Sequence, residues 1–195
     1  QTDVNLGELL INQGHLDEAE AVLVGAVRVL RASGAARFLA EGQMQLARVH
    51  LSRGNLPEAA ERAAEVVRAF TDLGNPTSAL EAALVRAEAI ARQGRPEDSL
   101  LVIDAAEREA RDEAAFSMPR LCLQRARALL ALGRLDDAAA MVAVGLVAAH
   151  AQELPYEEAL LLQVSAAVDE RRGMAAQAEQ GRSRSTDLLS GLGAV

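Results

Sequence analysis

Lysine and tryptophan are both missing from these 195 residues, and only one cysteine, one tyrosine and three phenylalanines are present. Each shortage excludes something. A single cysteine makes no internal disulfide, so no oxidative cross-link staples the fold. Cys122 stands in "RLCLQ" and is expected to be a buried thiol acting as a small apolar side chain. With so few aromatic rings, burial has to come from Ala, Leu and Val in thin layers. No apolar run approaches the ~20 residues of a membrane span, and the first residues show no charged-then-apolar signal pattern. No membrane contact and a cytoplasmic location are therefore expected.

Other absences bear on chemistry. His15, His50 and His150 are isolated, and none pairs with another histidine or with Cys122 at a metal-ligand spacing. No metal and no cofactor are expected. The acidic doublets Asp136-Asp137 and Glu157-Glu158 fall in first turns of helices, where carboxylates complement the helix dipole. No G-x-x-x-x-G-K-[ST] phosphate loop occurs, and "SGLGA" at 190–194 lacks the strand and helix that a dinucleotide-binding motif requires. The chain is expected not to be an enzyme by itself. Net charge is −8, and all twenty basic residues are Arg, dispersed among acids without interleaved aromatic rings. That argues against a nucleic-acid partner. Arginine without lysine, with abundant alanine, is what a GC-rich bacterial genome yields. Because it begins with Gln, the sequence is expected to be a fragment of a larger multidomain protein.

What is present is a repeat. Gly14, Gly54, Gly94, Gly133 and Gly173 are separated by 40, 40, 39 and 40 residues. Five residues after each stands Ala19, Ala59, Ser99, Ala138 or Ala178, and seven before each stands Gly7, Ala47, Ala87, Ala126 or Ala166. A period of this length marks a solenoid of stacked supersecondary units. Within a unit, apolar residues recur at spacings of three and four on both sides of the glycine, as in two amphipathic helices. Gly54 falls where the first helix must stop, because glycine accepts the left-handed C-cap conformation. Asn55, Pro57 and Glu58 then supply an N-cap, an early-turn proline and an N-x-x-E capping pattern. The small columns let two helix axes approach at the short end of the ~8 to 10 Å range. Five units result, 1–34, 35–74, 75–114, 115–154 and 155–195, as one array. In the last, Gly181 is expected to interrupt the second helix, and Arg182 and Arg184 replace apolar residues, as an end repeat permits.

These columns, small, large, Gly and L/P-x-E/D-A, resemble the tetratricopeptide repeat over essentially the whole chain. Its usual 34-residue period, Trp and late Pro are replaced here by a 40-residue period without Trp, and Tyr156 lies outside the motif columns. The longer repeat is similar to those in C-terminal arrays of large bacterial signalling proteins, such as ATPase-linked LuxR-type regulators and multidomain nucleotide cyclases, and "TDLLSGLGAV" is similar to the tails of such arrays. The resemblance implies an all-α fold, a right-handed superhelical α-α solenoid of about five hairpins, with first helices lining a concave docking groove. It also implies ligand-facing positions in the first helix. Six residues before the glycine these are Glu8, Arg48, Glu88, Arg127 and Ala167, and two before it Asn12, Ser52, Arg92, Ala131 and Arg171.

Two readings of those charges stand. Arg48, Arg92 and Arg127, with Glu88 between them, read a carboxylate-bearing peptide, or Glu8, Arg48, Glu88 and Arg127 pair between neighbouring repeats and hold the stacking. The Lys/Asn clamp of chaperone-binding relatives is absent. Three functions follow: a docking scaffold for a protein, peptide or another domain of the same chain within a bacterial signalling or transcription-regulatory protein, a sensor for a small inducer or signalling peptide, and a dimerisation arm. An open charged groove favours the first, a closed polar pocket between repeats the second, and an exposed apolar strip on the last repeat the third. The parent's own chemistry would be that of an ATPase or nucleotide cyclase lying elsewhere.

Overall fold

The computed structural model describes residues 2–193, apart from the side chain of Asp112; the last two residues of the "TDLLSGLGAV" tail, and with them the end of "SGLGA", lie outside that range. Ten α-helices follow one another: α1 (Thr2–Asn12), α2 (Leu16–Ser33), α3 (Ala36–Ser52), α4 (Leu56–Asp72), α5 (Pro76–Arg92), α6 (Pro96–Ala110), α7 (Met118–Ala131), α8 (Leu135–Ala151), α9 (Pro155–Arg171) and α10 (Ala175–Gly191). There is no strand among the described residues. Consecutive helices pair as hairpins, α1 with α2 through α9 with α10, and the hairpins stack. The fold is an all-α repeat solenoid.

The stacking is asymmetric. First helices of successive units touch one another, α1 on α3, α3 on α5, α5 on α7 and α7 on α9, while successive second helices make no comparable contact among the described residues. The first helices therefore form the tight inner wall and the second helices the splayed outer one. No helix is long and apolar enough to cross a membrane.

The turn glycines work as their positions require. Gly54 sits at φ 78°, its N–H donates to the Leu51 carbonyl at 3.1 Å, and the Asn55 N–H reaches back to His50 at 2.9 Å. Together these bonds form a Schellman cap that satisfies two of the carbonyls a helix end orphans. Asn55 occupies the N-cap position without a side-chain hydrogen bond, and Glu58 pairs with Arg62 at 2.6 Å instead of closing a capping box. The working asparagine cap is Asn75, whose side chain accepts from the Ser78 N–H at 3.0 Å. The small columns lie where the helices meet: Ala19, Ala59, Ala138 and Ala178 are wholly buried, as are Ala47, Ala87 and Ala126. At Gly7 an added Cβ would lie 2.5 Å from the Leu23 side chain.

Gly181 corrects the sequence reading. Helix α10 runs unbroken through it, and the missing side chain serves close approach, since a Cβ there would come 3.3 Å from the Ala166 Cβ and 3.4 Å from the Leu162 carbonyl of α9. Arg182 occupies the column that holds Leu23, Ala63, Ile103 and Val142 in earlier units. With no following hairpin described to bury it, it stays half-exposed and pairs with Glu179 at 3.1 Å and Glu170 at 3.4 Å.

A further column lies twenty residues after each turn glycine, at the junctions between hairpins: Gly34, Gly74, Ala114, Glu153 and Gly193. Where it holds glycine the second helix ends in a left-handed residue, φ 72° at Gly34 and 63° at Gly74. Ala114 does not allow that ending, and the chain leaves α6 through a 3₁₀ turn, Arg111–Ala115, with Arg111 at φ 50°, ψ −127°. Glu153 is held left-handed at φ 54°. A non-glycine residue there costs about 1 to 2 kcal/mol, and relieving it is offset in part by the added flexibility of glycine in the unfolded chain. Glu153→Gly is expected to raise the thermal midpoint by about 2 °C. An unchanged or lower midpoint in a calorimetric scan would count against strain at this junction.

Candidate functional site: the inner groove

The inner wall is one continuous groove to which all five first helices contribute. Its apolar floor includes Leu51, Leu84, Leu123 and Leu160, and its flanks carry Arg48, Glu81, Glu88, Arg120, Arg127 and Glu157, with Tyr156 at the α9 end. One residue per helical turn faces inward, so each first helix supplies an apolar position and a charged one to the same face.

Every candidate guanidinium reaches back one unit. Arg48 of α3 meets Glu8 of α1 at 3.4 Å, and Arg127 of α7 meets Glu88 of α5 at 3.5 Å. Arg92 donates to the Leu51 carbonyl at 2.9 Å and lies 4.0 Å from Glu88. Arg171 donates to the Leu130 carbonyl at 2.7 Å. Arg92 and Arg171 thus add a second donor to a carbonyl in the last turn of the preceding first helix, which already accepts from its turn-glycine N–H, Gly54 at 3.1 Å and Gly133 at 3.0 Å. Ser52 lines the groove beside Arg48 and is exposed. Arg48, Ser52, Glu88 and Arg127 thus share one surface, Arg92 borders it, and Arg171 lies at the far end of α9.

Four residues of the groove, Arg120, Glu81, Glu157 and Gln124, stand outside the columns read from the sequence. Arg120 bridges Glu81 at 2.5 Å and Glu157 at 3.6 Å, and the Gln124 amide donates to Glu88 at 2.8 Å. Arg120 and Glu81 both stand thirteen residues before a turn glycine, seven before the column of Arg127 and Glu88. Two helical turns separate them, so the same face continues. The heptad offset is the signal that identifies them.

Charges along the groove cancel. Arg48, Arg120 and Arg127 face Glu81, Glu88 and Glu157, and the guanidiniums are partly withdrawn from water, Arg48 most of all at 22% side-chain exposure. Burial, then the nearby Arg120 charge, push the Arg48 pKa below its usual value, against the pull of Glu8 and Glu81. Each of these three arginines thus has a glutamate within 3.5 Å, so the groove presents no unpaired guanidinium among them.

Elsewhere the reactive side chains are scattered. Among the described residues no group of three or more His, Cys, Asp or Glu side chains converges as a metal site would require. Cys122 is buried in α7, and burial chiefly pushes its thiol up to about 11, which keeps it protonated and unreactive near neutrality. On the convex side an open cleft of about 830 Å³ separates α4 from α6, floored by Ala79, Leu80, Ala106 and Ala110. Ala110, which lines it, stands in the column filled by Phe70 one unit earlier. An open, largely apolar floor is not the closed polar pocket that a sensor for a small inducer calls for.

A model of the tetratricopeptide repeat matches residues 1–24, 40–65, 80–100 and 119–143, which are the first helix and early second helix of units one to four. Among solved structures, the chain is similar to a crystal structure from Podosopora anserina described as putative kinesin light chain nearly identical TPR-like repeats. The likeness covers 100% of this chain and 96% of that one, with a TM-score of 0.68 at 15% identity, and it speaks to the fold alone. No curated protein matches the chain.

Proposed function

The chain belongs to the tetratricopeptide repeat family, whose arrays generally mediate protein-protein interaction, and from that premise we propose that its inner groove docks a peptide segment or a partner domain. The observation that supports this reading most is an apolar floor, Leu51 to Leu160, flanked by Arg48, Arg120 and Arg127, which pair with Glu8, with Glu81 and Glu157, and with Glu88. A segment that satisfies such walls carries both charges around apolar side chains. Its carboxylates replace Glu81 or Glu88 on the arginines, and its basic groups take the released glutamates, so little charge is left desolvated and unpaired. A purely acidic peptide would leave those glutamates buried against it.

The setting that fits is a regulatory module of a multidomain bacterial signalling or transcription-regulatory protein in the cytosol, docking a partner or the parent's own ATPase or cyclase domain. The arginine-only basic set and the long repeat support it. Capture from lysate of a GC-rich bacterium, comparing the chain with an Arg120→Ala, Arg127→Ala variant of unchanged helicity, tests the groove. Loss of a captured protein in the variant is expected, with a drop of tenfold or more in its amount. Equal capture by both chains, or capture by neither, would return these arginines to holding the stack.

A further inference from the structure

The outer face of the array shows what its solvent positions carry. Fourteen residues after each turn glycine the chain reads Arg28, Arg68, Arg108, Val147 and Asp187. Four units place a charge there, and the fourth places a valine that is 73% exposed. The departure extends along the helix. From Ala138 to Ala149, α8 contains no polar or charged side chain. Its outer arc presents Ala140, Ala143, Val144, Val147 and Ala151 to solvent. A helix that is apolar all round is normally buried on all sides. At the same columns α10 carries the exposed Gln180, Ser183, Arg184, Asp187 and Gly191, so the apolar strip belongs to the fourth unit and not to the end of the array.

We propose that this strip is a self-association face, on which a second copy of the chain packs its own α8 antiparallel. The strip is complementary to itself. With a two-fold axis between Ala143 and Val144, Ala140 faces Val147 of the second copy, and Ala143 faces Val144, so each larger side chain meets a smaller one. Asp137, 55% exposed at the start of α8, then faces the exposed His150 at the end of the other α8. A parallel pairing would instead set Asp136 and Asp137 against their own copies, a like-charge contact that disfavours it. The alanines allow the two axes to approach at the short end of helix packing distances. Each copy offers the same patch, so the contact closes as an isologous dimer and does not propagate. One helix pair falls at the small end of specific interfaces, which makes this dimer a weak, reversible one.

Sedimentation equilibrium of the whole chain across the micromolar range, from about 1 to about 300 μM, tests it in the regime where small interfaces associate. A concentration-dependent dimer is expected. Val147→Arg should weaken it at least tenfold with unchanged circular dichroism, while Val29→Arg, at a 68% exposed position on the outer face of α2, should leave it intact. Asp137→Arg and His150→Asp should each weaken the dimer, and the two together should restore most of the affinity. A monomer at every concentration, a dimer indifferent to Val147→Arg, or a double variant no tighter than the single ones would overturn the proposal. None of these substitutions touches the groove, so this result and the capture experiment fail independently.

Discussion

Leu161→Ala is expected to cost about 2 to 5 kcal/mol, a range set by how far the surroundings collapse into the cavity. Leu161 of α9 is wholly buried and packs with Leu123, Ala126, Val142, Ala149 and Val164 from α7, α8 and α9. Its methyl groups occupy the space left by a missing side chain: a Cβ at Gly145 would come 2.8 Å from Leu161 and 2.9 Å from Cys122. The buried neighbours are mostly alanine, valine and glycine, but Leu123 and the partly buried Leu130, Met141, Leu146 and Leu160 can lean into the gap. The middle of the range is therefore expected. In a solenoid each hairpin is stabilised only by its immediate neighbours, so the loss falls on the fourth and fifth units. Urea unfolding followed by circular dichroism should show a shallow early transition as those units melt before the first three. A single transition displaced by less than about 1 kcal/mol would mean that the site collapses freely, as an exposed position would.

How much of this was legible beforehand differs between the fold and the groove. The turn glycines, the small columns and the two-helix unit are properties of a period, and a period is visible whenever the same backbone conformation is demanded five times. Junctions were harder, because the column of Gly34, Gly74, Ala114, Glu153 and Gly193 holds glycine only three times. The 3₁₀ turn after α6 and the left-handed Glu153 are what the backbone does when that column fails. Gly181 was misread for a related reason. Glycine in a helix signals either a break or a close approach, and only the position of Ala166 and the Leu162 carbonyl decides between them.

Groove charges were half legible. The column containing Arg48, Glu88 and Arg127 is a single ridge, whereas a groove presents two or three ridges from each helix, so Arg120, Glu81 and Glu157 went unread. Partner choice was beyond sequence altogether, because an arginine chooses between a ligand and a neighbouring carboxylate by distance. One rule did lie in the text. Arg53 and Arg172, each just before a turn glycine, reach back to Asp17 and Asp136, each three residues after the preceding turn glycine. The same arginines donate to the Leu16 and Leu135 carbonyls at 3.3 Å. Where Gln93 replaces that arginine, Pro57 replaces the aspartate, whereas Leu132 stands opposite Glu97, which keeps the carboxylate without the arginine.

The small column after the turn is the strictest demand the repeat makes, and Ala59→Leu and Ala138→Leu are expected to cost about 1 to 3 kcal/mol each. Ala59 of α4 is wholly buried among Leu51 of α3 and Ala89 of α5, and Ala138 of α8 among Leu129 of α7 and Val168 of α9. Each alanine thus stands where one second helix meets both its own first helix and the first helix of the next unit. Added methyl groups have no open side to turn toward, and three helices must separate together. Because the two sites lie in different units with no shared partner, their effects should add to within about 0.5 kcal/mol. Glu61→Leu, two residues further along α4 on its exposed face, serves as the control for added bulk and should fall within about 0.5 kcal/mol of the starting chain. Thermal unfolding of both alanine variants at the original midpoint would refute the register of the repeat, since no other assignment of these helices puts both alanines at a three-helix contact.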